Sequence, residues 1–292
     1  MNLKSNGMYI SVNQNFIKEE DVNLGQMPWL LPTQNTVLTE DIRANAAKPI
    51  LSEKHFEILI QNANLLKIKL PDYFNLGFLT AQIGGLLTRN KLFQAANVQV
   101  TLVNNAAIGS TETIITSQQA GAGPYELNRK GLLIDVFDGA YVTVHSPYQL
   151  NQFCQLANGM AKAAATSRRL DDMLLLTDMG FIVSATDAMV AIVRNGKILT
   201  PPLENGARLD AMRDVLAQAA EMTGHLIDND ALIMQEDLDE ADEIFLCSTA
   251  KGLQWVAGYR NHRYIHKVTS ALNEAVNQIL FTNNFQFIDK KV

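Results

Sequence analysis

Four short stretches of the chain hold side chains capable of chemistry. In H-R-Y-I-H, His262 and His266 stand four residues apart, the spacing that sets two imidazoles on one helix face for a metal ion. No third ligand with suitable spacing stands nearby, so a solvated helix end is expected and no metal site is assigned. The run E-D-L-D-E-A-D-E (236–243) has the charge for a cation. Cys154 sits where S-P-Y-Q-L-N-Q-F-C-Q-L-A-N-G-M-A-K-A-A-A-T (146–166) turns from a loop into a helix with an apolar face. No histidine accompanies it on that helix, which leaves a buried structural thiol rather than a nucleophile. At the same loop–helix junction stand a phenol and an amide, Tyr148 and Asn151. The glycines of Q-A-G-A-G-P-Y (119–125) do not complete G-x-G-x-x-G, so they read as a turn and linker rather than a nucleotide cradle.

The chain's 24 basic and 30 acidic residues give a formal net charge of −6. A weakly acidic chain without a basic cluster is poorly suited to neutralise phosphates, which argues against nucleic acid as a partner. Cys154 and Cys247 form no C-x-x-C pair and fit a reducing cytoplasm better than an oxidised framework. The opening M-N-L-K-S-N-G-M-Y-I has no apolar stretch after its lysine, so no signal peptide is expected. No apolar run approaches the roughly 20 residues of a membrane helix. A soluble cytoplasmic protein without a membrane partner is the expectation.

The elements that must position these residues follow from periodicity. Residues 54–68 place Phe56, Leu59, Ala63 and Leu66 on one helical face, and 75–92 form a second helix. A-N-V-Q-V-T-L-V (96–103) alternates as a half-buried strand, with T-E-T-I-I-T-S (111–117) as its partner. Beyond the linker, strands and helices alternate. G-L-L-I-D-V-F (131–137), M-L-L-L-T (173–177) and E-I-F-L-C-S-T (243–249) read as buried strands, and a hairpin turns at Asn195-Gly196. A helix over 208–222 carries Leu209, Met212, Leu216 and Ala219 inward and stops at Gly224, and 267–280 form a closing helix. The fold class is α/β (mixed α+β), with a small N-terminal α/β domain (1–122) and a larger C-terminal one (123–292).

The ordered set D-D-M-L-L-L-T-D-M-G, K-I-L-T-P-P-L, D-A-M-R-D-V-L and D-L-D-E-A-D-E-I-F-L-C-S-T-A-K-G-L-Q-W-V resembles the class IV aminotransferases, the fold-type IV pyridoxal-phosphate family. That family includes branched-chain and D-amino-acid aminotransferases and aminodeoxychorismate lyase. H-F-E-I-L (55–59) is similar to its H-x-x-R-L element and T-E-D (39–41) to its F-E-T strand, so the likeness runs over roughly residues 35–260. It implies a two-domain fold, a site in the cleft between the domains, and a homodimer. It also implies that the acidic run is a strand lead-in, mostly solvated.

What the family uses for chemistry is missing at the matching positions. Its Schiff-base lysine, counted back from D-D-M-L-L-L, falls on Asn151; the local run Y-Q-L-N, similar to K-x-L-N, puts it on Tyr148 instead. Neither an amide nor a phenol forms an imine with an aldehyde, and no lysine occurs between Lys130 and Lys162. Lys162 lies about 16 Å along the helix axis from Asn151 at ~1.5 Å per residue. The carboxylate that keeps the pyridine nitrogen protonated falls on Ser184, and the phosphate-binding arginine of H-x-x-R-L on Ile58. The glycine of the phosphate turn falls on Asp210, and a substrate-gripping arginine near Asn97 or Gln99. Ser248 and Thr249 of S-T-A-K-G match a loop that gives hydroxyl and backbone donors to the phosphate.

The reading is a pseudoenzyme, or repurposed member, that forms no aldimine and needs no pyridoxal phosphate. Its cleft could hold a small molecule among Glu40, Arg43, Gln99, Tyr148 and Lys251, with Ser248 and Thr249. The alternative is an active pyridoxal-phosphate-dependent transaminase or lyase with an unorthodox site, either a displaced lysine such as Lys251 or a cofactor held without a covalent bond.

Overall fold

A computed structural model describes residues 8–22, 35–105, 109–121, 123–142 and 155–282. The chain divides into two compact units, Met1–Gly123 and Pro124–Val292.

In the first unit the described strands are β1 (Tyr9–Val12), β2 (Asn15–Lys18), β3 (Asn35–Asn45), β4 (Lys48–Pro49), β5 (Ala96–Asn105) and β6 (Ser110–Gln119). They form one antiparallel sheet in the order β2-β1-β6-β5-β3-β4. Two helices, α1 (Ser52–Leu65) and α2 (Leu76–Arg89), join β4 to β5. As the alternation predicts, Val98, Val100 and Leu102 are buried and Gln99 is exposed. Leu38, Glu40 and Ile42 of β3 share one parity and are buried. The helix predicted over 54–68 is shifted. It ends at Leu65 because Lys67 turns left-handed (φ +55°) and the Ile68 and Lys67 amides bond back to Ala63 and Asn64. Its buried stripe is His55, Ile58, Leu59, Asn62 and Ala63, and Phe56 and Leu66 lie at its margin.

The second unit begins with β7 (Leu132–Val142), α3 (Gln155–Arg168), β8 (Asp172–Thr177) and β9 (Ile182–Ala185). β10 (Met189–Arg194), β11 (Lys197–Leu199), α4 (Met212–Met222), β12 (Ile227–Asp228) and α5 (Gln235–Asp239) follow. β13 (Glu243–Ser248), β14 (Gly252–Tyr259), β15 (His262–Arg263) and α6 (Lys267–Phe281) complete it. The sheet runs β12-β11-β10-β13-β14-β7-β8-β9, with β15 on β14. It curls: Ile182 of β9, at one edge, bridges to Ile233, just beyond β12 at the other. Ile134, Leu174, Leu176, Val190, Ile192, Ile244, Leu246 and Val256 fill the core so enclosed. α3 packs Ala161 and Ala165 on Met173, Leu175 and Phe137.

The hairpin turns at Asn195 and Gly196 as expected, both with positive φ (+52° and +73°). The helix expected from 208 starts only at Met212; Arg208, Leu209 and Asp210 are its lead-in, and Asp210 is not in its first turn. Gly224 (φ +74°) ends it, the His225 amide bonding back to Ala220. Among the described residues no helix is long and apolar enough to cross a membrane.

Candidate functional site

β13 organises the polar groups of the second unit. Successive residues of a strand face opposite sides, so Ile244 and Leu246 enter the curled core while Glu243, Phe245 and Cys247 share the other face, all of them buried. Both ends of that face carry a carboxylate–donor arrangement.

At the C-terminal end, Asp210 is the acceptor. Its Oδ1 receives the Thr249 hydroxyl (2.6 Å), the Thr249 amide (3.1 Å) and the Met212 amide at the start of α4 (2.9 Å). Its Oδ2 is 3.3 Å from the same Thr249 amide and 4.0 Å from Arg208 Nε. That Nε is buried and has no hydrogen-bond partner among the described residues. Positive charge is placed here by the α4 N-terminus and by the guanidinium, and a buried carboxylate needs this compensation.

The loop bearing Thr249 is held from behind as well. The Tyr125 hydroxyl donates to the Thr249 carbonyl at 2.6 Å. The Tyr125 backbone is tied to α6: its amide donates to Asn277 Oδ1, and its carbonyl accepts from Asn273 and Asn277. Gly252 (φ +70°) closes the turn, and any Cβ there would lie 2.5 Å from the Tyr125 ring, so only glycine fits. Ser248 Oγ accepts from the Lys251 amide at 3.3 Å. Burial pushes the Cys247 thiol well up, and the Asp210 charge adds to the shift.

A second polar group lies at the start of β8. Asp172 Oδ1 accepts from the Thr186 hydroxyl (2.8 Å) and amide (3.2 Å). Burial raises its carboxyl above the ordinary value, while those hydrogen bonds and the charge of Lys251 pull the other way. Lys251 itself is exposed. Ser184 is buried in β9, opposite Leu175 of β8. Lys162 is paired with Asp187 at 2.6 Å.

In the first unit, His55 Nδ1 lies 2.7 Å from Glu40 Oε1, both side chains buried. This bond joins α1 to β3 inside the unit. Ile58, one turn along α1, is 2% exposed and part of the unit's core. Arg43 Nη1 donates to Asn97 Oδ1 at 3.2 Å, and Gln99 Nε2 donates to Asp41 Oδ1 at 3.0 Å.

Tyr148, Asn151 and Cys154 lie outside the described residues. One expectation needs correction. His262 and His266 do not share a helix face: His262 is in β15, 3.2 Å from Asp239, while His266 precedes α6 and contacts Ser270. The acidic run is mostly solvated, as expected, with its last member, Glu243, the exception at 1% exposed. Glu243 accepts from the Thr269 hydroxyl and amide and the Val268 amide, each at 2.8–2.9 Å, at the start of α6.

The family model of amino-transferase class IV matches residues 38–259. The chain belongs to this family. A Methanocaldococcus jannaschii protein assigned as a branched-chain-amino-acid aminotransferase is 31% identical over 124 residues, a stretch spanning 41% of this chain and 43% of that relative's length. The branched-chain amino acid aminotransferase of Thermobaculum terrenum, solved in a pyridoxal-phosphate holo form, superposes with a TM-score of 0.79 at 21% identity over 94% of each chain. A Legionella pneumophila structure assigned as a 4-amino-4-deoxychorismate lyase superposes at 0.73 with 20% identity, covering 83% of this chain and 90% of that one. At these identities the superpositions speak for the fold, which is the mixed α/β fold-type IV architecture of the class IV family.

Sequence reasoning placed Asp210 and Thr249 in one region but missed that they bind each other, and it missed Tyr125, Arg208, Asp172 and Glu243. Glu243 had a signal: a carboxylate leading an unbroken apolar run, E-I-F-L-C, has to be buried with partners. For Tyr125 and Arg208 no local signal exists, since their partners come from distant segments.

Proposed function

We propose that this class IV aminotransferase-family chain is a pseudoenzyme or repurposed member that forms no aldimine with pyridoxal phosphate. One observation carries the reading: no lysine occurs between Lys130 and Lys162, the stretch in which both counts place the family's Schiff-base lysine.

The residues described here do not fit the cofactor. At the family's phosphate-arginine position, Ile58 is an apolar core side chain without a donor. Ser184, at the carboxylate position, is a hydroxyl and cannot hold a pyridinium charge. Asp210 brings a negative charge to the turn where a phosphate would sit. Each like charge at about 4 Å costs about 4 kcal/mol at an effective dielectric of ~20. That exceeds the ~1.5–3 kcal/mol of a hydrogen bond to a charged group, so a remaining donor does not offset it.

The protein is proposed to act as a cytoplasmic homodimer, binding a small molecule or serving as a scaffold. Cysteine usage supports the location and family membership the dimer. Light scattering of the purified protein tests the assembly.

The decisive experiment soaks the purified protein in pyridoxal phosphate, treats it with borohydride and maps any modified lysine. The expected result is a colourless protein with no pyridoxyl-lysine peptide. A visible-absorbing adduct mapped to Lys251, with turnover of an amino donor, would install the active-enzyme reading instead. Asn151→Lys or Tyr148→Lys alone should restore little transamination, since Ile58, Ser184 and Asp210 still stand at the other positions.

A further inference from the structure

We infer that Asp210 is a built-in anion, filling an oxyanion cup that the rest of the chain constructs. The inference rests on the reading that the wild-type protein holds no cofactor phosphate, and it adds what keeps that place closed.

Three donors converge on Asp210 Oδ1, the Met212 amide and the Thr249 amide and hydroxyl, and a fourth, Arg208 Nε, lies 4.0 Å from Oδ2. They come from the α4 lead-in and from a loop 39 residues later in sequence, so no local helix-capping rule explains the set. An ordinary cap accepts from one or two amides of its own helix. Asp210 takes only one amide from α4, and most of its hydrogen bonding comes from the end of β13.

The fit is also incomplete. A carboxylate has two oxygens in one plane. Oδ1 takes all three short bonds, Oδ2 is left with a 3.3 Å contact, and Arg208 Nε stands at 4.0 Å, buried and without a hydrogen bond among the described residues. A tetrahedral oxyanion, with oxygens outside that plane, offers the acceptor this fourth donor lacks. The donor set therefore matches inorganic phosphate or a phosphate monoester better than it matches its resident side chain. Asp210 wins because it is covalently present and carries no cost of association. Tyr125 and Gly252 fix the loop from behind, so the cup does not depend on Asp210 alone for its shape.

The test is isothermal titration with inorganic phosphate of the wild type, Asp210→Gly and Asp210→Ala, with chloride at matched ionic strength as control. Both variants should bind one phosphate per chain at least about tenfold more tightly than the wild type. Adding Arg208→Gln should remove most of the gain. If a variant folds poorly, phosphate but not chloride should restore its thermal transition. Folded variants that bind phosphate no better than the wild type would overturn the inference, as would unfolded variants that phosphate fails to restore. A coloured, borohydride-reducible wild-type adduct would instead defeat the reading beneath it, so the two failures are separate.

Discussion

The two ends of β13 solve one electrostatic problem in opposite directions. At the first, Glu243 belongs to the strand and its donors to a helix, the Val268 and Thr269 amides and the Thr269 hydroxyl opening α6. At the last, the strand's exit supplies the donors, Thr249 amide and hydroxyl, and the carboxylate comes from the α4 lead-in. Both anions are buried, and both accept from a threonine through its amide and its hydroxyl. Glu243 divides its bonds between both oxygens, whereas Asp210 loads one and leaves Arg208 Nε without a hydrogen bond among the described residues. A complete nest is architecture. An incomplete one, held from behind by other contacts, has the geometry we propose for an anion site.

The comparison can be broken most directly at Glu243. Glu243→Ala leaves three donors without an acceptor, the two of Thr269 buried, and should cost about 3–5 kcal/mol by chemical denaturation. Phosphate should not repair it, because all its donors sit at a single helix start in a residue environment 1% exposed; phosphate repair there would erase the distinction. Asp210→Ala should cost less, about 2–3 kcal/mol without added anion, because Tyr125 still holds the loop. Thr249→Val and Thr269→Val each remove one hydroxyl donor and should cost about 1–2 kcal/mol. Only Thr249→Val should also weaken phosphate binding in the Asp210→Ala background.

The smallest effect is expected at Asp172, and its sign is informative. Burial raises this carboxyl above its ordinary value, so the folded chain holds the proton more tightly than the unfolded one. The favourable contribution is complete below about pH 4 and is lost as pH rises through the raised value. Ionised Asp172 is therefore a mild liability at neutral pH. Asp172→Asn keeps an oxygen for Thr186 and should raise Tm slightly at pH 7, by less than about 3 °C, with the advantage vanishing towards pH 4. A variant less stable at neutral pH would mean that the charge itself holds Thr186 in place.

The strands were legible because their signal is local: the alternation in 96–103 and the apolar run 173–177 require neighbours only a few residues away. Helix ends were less so. Residues 208–211 have the composition of a first turn, but Asp210 leaves the helix to reach Thr249, a tertiary pull that no propensity records. The departures expected at Ile58, Ser184 and Asp210 rest on residue types counted along the family motifs. That Asp210 grips Thr249 could not be read there, because a residue's type says what it lacks and not what it has found. The histidine spacing misled about the helix for a simpler reason: spacing of four means a shared face only inside a helix, and His262 is in a strand.

Tyr125 stands just past the boundary between the two units and is laced to Asn273 and Asn277 near the chain's other end. The beginning and the close of the second unit are thus fastened together, and the Thr249 loop hangs from that fastening. A frameshift or proteolytic cut that strips the final turns of α6 would be felt far away in sequence, as a slackened loop around Asp210. Damage to the last turns of α6 should accordingly register first at the Asp210–Thr249 contact, before the sheet itself gives way.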